Sequence, residues 1–180
     1  MNKALLLIDI QREYFENGKL ELVNPIAASE NARKLLEHFR KENGTIIHVQ
    51  HISGEGSPIF VPGTKGIEIH ENVKPLEGEK VITKHFPNSF RGTDLLEYLH
   101  SKEIAHLVIG GMMTHMCIDA GTRAAVDLGF ECTVIGDACA TLNLQINGQE
   151  VKAEDVHNAF LAALEFFYAK ISTTEEYLLS

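Results

Sequence analysis

Five short apolar runs recur along the chain with amphipathic stretches between them, and this alternation constrains the fold more than any other feature. The runs are Lys3 to Ile8 (KALLLI), Thr45 to Gln50 (TIIHVQ), Lys80 to Lys84 (KVITK), His106 to Ile109 (HLVI) and Cys132 to Ile135 (CTVI). Each is the length of a strand covered on both faces. Between the first two, Asn24-Pro25 is a helix start, and Ala28, Ala32, Leu35, Leu36 and Phe39 repeat at helical spacing until Gly44. Leu95, Leu96 and Leu99 mark a second helix, and a third is expected from about His115 to Leu128. A fourth carries Val156, Ala159, Phe160, Ala163, Leu164 and Phe167 on one stripe. Strands alternating with helices through right-handed crossovers predict a doubly wound, Rossmann-like α/β domain, a mostly parallel sheet with helices on both faces. Residues 1-180 read as one such domain, since this length can bury a sizeable core and no linker or repeat divides it.

Two segments break the pattern. Residues 53 to 66 (SGEGSPIFVPGTKG) form a long turn-rich stretch suited to a lid or a partner surface. Leu142 to Val151 carries Asn147-Gly148 between alternating residues, a hairpin signal. An exposed hairpin is marginal unless it packs on something, which points to a homodimer or larger homo-oligomer.

Composition narrows the function classes. Apolar residues at 44% and charged residues at 23% exclude disordered and low-complexity chains. Sixteen Lys and Arg against 25 Asp and Glu give a formal charge of -9 without a dense basic cluster, so neither nucleic acid nor an anionic membrane is an expected partner. The first apolar run is too short for a membrane span or a signal-peptide core, which predicts a cytoplasmic protein. Three cysteines, Cys117, Cys132 and Cys139, without a C-x-x-C pair, fit a reducing compartment and argue against a disulfide framework or zinc knuckle.

Ligands in open α/β sheets bind beyond the carboxyl ends of the strands, and three reactive residues are expected there. Asp9 follows the first run, Lys84 closes the third, and Cys117 lies past HLVIGG where the next helix should start. Taken singly, each has a bland reading as a turn residue, a solvated strand-end lysine or a small buried hydrophobe. Together they form a working unit. A cysteine at a helix start beside a lysine is expected to have a thiol pKa lowered into the range of about 3.5 to 7.5. A neighbouring carboxylate can accept the thiol proton and later activate water, and helix-start N–H groups can meet an oxyanion.

The stretches DIQREYF, KHFPNSF and GGMMTHMCIDAGTRAAVDLG, with DACAT and the closing KISTTEEYL, resemble the isochorismatase-like cysteine hydrolases, a superfamily that includes nicotinamidases, N-carbamoylsarcosine amidase and streptothricin hydrolase-like enzymes. The resemblance implies an isochorismatase-like hydrolase fold and a cofactor-independent amidase that cleaves a carbon-nitrogen bond of a small-molecule amide through a thioester. It makes Cys117 the nucleophile, Asp9 the general base and Lys84 the third member of a triad. It also implies an oxyanion hole from the backbone N–H groups of Met113 and Cys117, and a cis peptide between Met112 and Met113. Aromatic pocket walls would be Phe15 and Phe90, and Gln11, Phe60, Thr114 and His115 are further candidates for substrate contact. Nicotinamidases of this superfamily hold a metal through Asp-x-His and a further His. Here His51 and Ser53 stand at two of those places, so no metal is expected, and His51 is read as lining the pocket or orienting a loop. His48 and His51, three apart on a strand, should face opposite ways, and His70 is the remaining candidate nearby. Cys132 and Cys139 read as structural. Two rival readings share the fold, an isochorismate vinyl-ether hydrolase, which generally lacks the cysteine, and a catalytically idle binding protein.

Overall fold

The computed structural model describes residues 2–180. Six strands form one parallel sheet: β1 (Lys3–Ile8), β2 (Thr45–His51), β3 (Lys80–Lys84), β4 (His106–Met112), β5 (Glu131–Ala140) and β8 (Lys170–Ser172), in the order β3-β2-β1-β4-β5-β8. A separate antiparallel hairpin joins β6 (Leu144–Ile146) to β7 (Gln149–Val151) across Asn147-Gly148. The helices are α1 (Pro25–Lys41), α2 (Leu95–Ser101), α3 (Asp119–Asp127), α4 (Ala153–Glu165) and α5 (Thr174–Leu178).

Side chains alternate across a strand, so β1 feeds two cores. Leu5 and Leu7 pack with Ala28, Ala32, Leu35, Leu36 and Phe39 of α1 and with Tyr177 of α5. Ala4, Leu6 and Ile8 face the other way, toward Leu95 and Leu99 of α2, Ala125 of α3 and Leu164 of α4. The sheet is therefore covered on both faces, as the uninterrupted apolar runs require, and the predicted doubly wound α/β architecture is observed.

Several features differ from the sequence reading. β4 runs three residues past Ile109, through Gly110 and Gly111, and β5 runs five past Ile135. The glycines continue β4 because the sheet needs bare backbone there: the β4–β5 register shifts between Ile109 and Gly111, and Gly111 sits at φ 136° opposite Ile8. The third helix does not begin at His115, since Thr114–Ile118 form a π-helical turn and α3 starts at Asp119. On α4 the expected stripe narrows to Val156 and Leu164, with Ala159, Ala163 and Phe167 exposed. β8 is a three-residue edge strand against β5 that no sequence run announced.

Candidate active site

The sheet order places β1 between β2 and β4, and the crossovers diverge at that point. In open α/β sheets that switch point, beyond the carboxyl ends of β1 and β4, is where ligands bind. Asp9 stands immediately after β1, and its backbone at φ 53° turns the chain out of the sheet while its N–H still donates to Val49 O at 2.9 Å. Left-handed backbone is among the conformations Asp tolerates better than most residues. Cys117 lies in the π-helical turn after β4. Lys84 ends β3 and is paired in register with His51 of β2, so its long side chain must reach inward past β2.

That reach brings the three together. Lys84 Nζ is 2.7 Å from Asp9 Oδ2 and 3.3 Å from Cys117 Sγ, and it also meets His51 Nδ1 at 3.2 Å and Phe86 O at 3.1 Å. Asp9 and Lys84 are fully buried and Cys117 is 5% exposed. The ammonium can only donate, so it offers a proton to a sulfur lone pair and leaves the thiol's own proton directed elsewhere. Although Asp9 Oδ2 is within ion-pair distance of Lys84, neither Asp9 oxygen receives a well-aligned hydrogen bond, which keeps carboxylate lone pairs free to take a proton.

Electrostatics here correct one expectation. Burial pushes the Cys117 thiol well up from its ordinary value, the Asp9 charge pushes it further, and Lys84 offsets only part of this. Burial also raises the Asp9 carboxyl, against the opposing pull of Lys84. Both directions run against a thiolate preformed by a helix dipole, and the shift at Asp9 makes its carboxylate more basic. The π-helical turn and the depth of burial account for the difference, since desolvation disfavours the charged form of either group.

The remaining side chains divide by what they touch. Gln11 is fully buried and commits its amide to backbone, donating from Nε2 to His51 O at 2.8 Å and Ile67 O at 2.9 Å and accepting from His51 N at 2.8 Å. His51 is held neutral, its pKa lowered to about 4 by burial and then by Lys84 and His85. Its Nδ1 therefore accepts from the ammonium. Phe15 stacks on His70 with centroids 3.8 Å apart, and Phe90 stacks on Phe130 at 6.2 Å on the α2 and α3 side. His48 faces away from the triad, as its strand position predicted, and meets Glu79 at 2.9 Å. Among the described residues no group of three or more His, Cys, Asp or Glu side chains is arranged to hold a metal.

The π-helical turn is tied down from two sides. Thr114 Oγ1 meets His157 Nδ1 of α4 at 2.9 Å and donates to Ala140 O at 3.3 Å, and His115 Nδ1 meets Thr141 Oγ1 at 2.6 Å. Within the turn, the N–H groups of Met116 and Ile118 both donate to Met113 O, and the Met112–Met113 peptide is cis. Two elements that the motifs did not single out complete the wall. Glu13, buried and with no cation partner among the described residues, accepts from Phe60 N at 2.9 Å and so pins the 53–66 segment to the residues after Asp9. Tyr14 packs edge-on against Phe60 at 5.1 Å, and Phe60 lies 5.2 Å from His51. A surface hollow of about 720 Å³ lies at the opposite ends of the strands beside Lys3, Thr45 and Tyr177, away from this chemistry.

Comparison with known proteins agrees with the fold. The family model for the isochorismatase domain matches residues 3–176. The chain is 54% identical over 179 residues to the uncharacterized isochorismatase family protein YddQ of Bacillus subtilis, covering 99% of each chain. It is 29% identical over 142 residues to streptothricin hydrolase of Streptomyces noursei, covering 79% of this chain and 51% of that one. A solved isochorismatase from Pseudomonas putida superposes with a TM-score of 0.93 at 33% identity, covering 97% of this chain and 89% of the other. A parallel sheet in this strand order, a site beyond the ends of β1 and β4, and a family match across nearly the whole length together place the chain in the isochorismatase family of hydrolases.

Proposed function

We propose that the protein is a cysteine amidohydrolase that cleaves the carbon-nitrogen bond of a small amide through a thioester. The observation that carries this reading is one buried ammonium, Lys84 Nζ, within 2.7 Å of Asp9 Oδ2 and 3.3 Å of Cys117 Sγ. Asp9 accepts the Cys117 thiol proton as sulfur bonds to the substrate carbonyl carbon. The carbon-nitrogen bond then breaks as Asp9 returns that proton to the departing amine. Water attacks the thioester, giving a proton to Asp9, and the carbon-sulfur bond breaks to release the acid and restore the thiol. Lys84 holds Asp9 in place and stabilises negative charge on sulfur. The N–H groups of Met113 and Cys117 serve the tetrahedral oxyanion, and Phe15, Phe90, Gln11 and His51 shape the pocket directly or through the loops they hold. A thiol placed against a carboxylate and an ammonium suits acyl transfer better than vinyl-ether hydrolysis, which needs no nucleophile.

The test is ammonia release and intact-mass analysis over a panel of small amides, carbamoyl compounds and lactams. The expected result is a mass increase on Cys117 equal to the acyl group, with no turnover by folded Cys117→Ala. Iodoacetamide supplies a substrate-free check. Exposure does not favour one thiol, as Cys117, Cys132 and Cys139 are 5%, 6% and 6% exposed. Cys117 should nonetheless react well ahead of the others because an ammonium, Lys84 Nζ at 3.3 Å, supports its thiolate. Equal labelling of the three, or turnover that survives in Cys117→Ala, would overturn the reading.

The hairpin supports assembly into a homodimer or larger homo-oligomer. Ile146 at its tip is 63% exposed, and the two strands form a sheet of their own, apart from the central one. Light scattering at micromolar concentration should give at least twice the chain mass, and a monomer mass would refute assembly.

A further inference from the structure

The Lys84 ammonium has three N–H groups and four acceptors around it. Phe86 O at 3.1 Å, His51 Nδ1 at 3.2 Å and Cys117 Sγ at 3.3 Å each receive an aligned hydrogen bond, whereas Asp9 Oδ2, although nearer at 2.7 Å, does not. An ammonium has no further hydrogen to give. Its donors are therefore spent on the other three, and Asp9 is held by charge rather than by an aligned N–H.

Phe86 contributes a peptide oxygen and Cys117 is the nucleophile, so His51 is the one acceptor supplied by a side chain outside the triad. It can accept because it is neutral, with burial and then Lys84 and His85 lowering its pKa to about 4. Its Nδ1 faces a group that only donates, which leaves the ring hydrogen on Nε2. The imidazole is also fixed in place. Gln11 accepts from His51 N and donates to His51 O, both at 2.8 Å, and Phe60 packs on the ring at 5.2 Å. Gln11 N in turn donates to Asp9 O at 2.9 Å, so one turn anchors both His51 and the base.

This arrangement bears on the strength of the base. A hydrogen bond to a carboxylate favours its charged form and lowers its proton affinity. Burial raises the Asp9 carboxyl and Lys84 opposes it, with Cys117 the other titratable group against it and Tyr14 within range of its charge. An aligned ammonium N–H on Oδ2 would weaken the base further.

Resting on the cysteine-hydrolase reading, we propose that His51 is a positioning residue whose Nδ1 takes one of the three Lys84 N–H groups and so keeps that group off Asp9, leaving the carboxylate free to accept the Cys117 proton. His51 itself exchanges no proton in this role.

Asn and Leu at position 51 separate the acceptor from its bulk. Asn carries Oδ1 on the same branch atom that carries Nδ1 in His, and Leu fills a similar volume with carbon alone. Carbon-13 labelling of the aspartate carboxyls, with Asp9 identified by its absence in Asp9→Asn, follows the Asp9 titration by NMR. In His51→Leu the released N–H turns to Oδ2, and the Asp9 carboxyl should become at least about 10-fold more acidic than in wild type, whereas in His51→Asn it should stay within about 3-fold. Added desolvation by Leu would move it the opposite way. An Asp9 carboxyl equally or less acidic in His51→Leu, or shifted alike in both variants, would overturn the role of His51 and leave the hydrolase reading standing. Should His51→Leu fail to fold, wild type decides by nitrogen-15 NMR near neutral pH. There His51 should be the Nε2–H tautomer, and an Nδ1–H tautomer or an imidazolium would overturn the inference. Absence of any acyl adduct on Cys117 across the amide panel would instead overturn the hydrolase reading, and with it the need for a free base.

Discussion

Folded Asp9→Asn and folded Lys84→Ala are each expected to retain less than about one hundredth of wild-type turnover, the usual range for losing positioned acid-base help. Adding Cys117→Ala to either should remove little more, because members of one catalytic unit lose most of their value when any one is gone. The electrostatics also predict a divergence between turnover and alkylation. The Asp9 charge is one of the influences that raise the Cys117 thiol pKa, so Asp9→Asn should let the thiolate form at lower pH beside Lys84. Iodoacetamide labelling of Cys117 at a fixed pH below the thiol pKa should therefore rise in Asp9→Asn while amide turnover collapses. A thiolate preformed in the resting enzyme would leave the labelling of Cys117 unchanged in Asp9→Asn. Lys84→Ala leaves a buried carboxylate without its cation and can cost about 3 to 5 kcal/mol, so the comparison uses variants shown to be folded by circular dichroism. More than about a tenth of wild-type turnover in either folded single variant would refute the triad.

Gly111→Ala should be the most damaging small substitution in the sheet. A Cβ at this position would lie 2.0 Å from Ile8 O and 2.8 Å from both Ile8 C and Ile8 N, and φ 136° is a backbone conformation that side-chain-bearing residues rarely adopt. All three neighbours are backbone, so no side chain can swing aside. The expected loss is about 3 kcal/mol or more, which for a chain of this size lowers the thermal midpoint by about 6 to 12 °C. Ile8 immediately precedes Asp9, so any relaxation that accommodates the methyl group displaces the base as well. Gly54→Ala is the control, with nothing within 4 Å of its added Cβ and no left-handed backbone. Thermal unfolding followed by circular dichroism compares the two. A Gly111→Ala midpoint within about 2 °C of wild type would show that the β1–β4 contact is looser than its geometry implies.

Local pattern was sufficient for much of the architecture. β1 and β3 occupy Lys3–Ile8 and Lys80–Lys84, α1 starts at Pro25 after Asn24, and the hairpin turns at Asn147-Gly148, all as read from the residues. These features are set by interactions among near neighbours: apolar periodicity, a proline in the first helical turn and a dipeptide that accepts positive φ. That Asp9, Lys84 and Cys117 meet at one end of the sheet was also legible, because each lies at or beyond the carboxyl end of a strand.

The tertiary structure alone decided the rest. That Gly110 and Gly111 continue β4 depends on how closely β1 approaches, and β8 is a strand only because β5 lies beside it. Gln11, a substrate-contact candidate in sequence, is engaged with the backbone at His51 and Ile67 because a register between distant segments brings them into range. Glu13 and Tyr14 passed unnoticed in sequence for the same reason, since their partner Phe60 is more than forty positions away. The direction of the Cys117 pKa shift turned on burial, which a residue string does not contain. Pattern along the chain determines which residues can pair with their near neighbours, whereas approach distance, register and desolvation depend on segments far apart in sequence and exist only once the sheet has assembled.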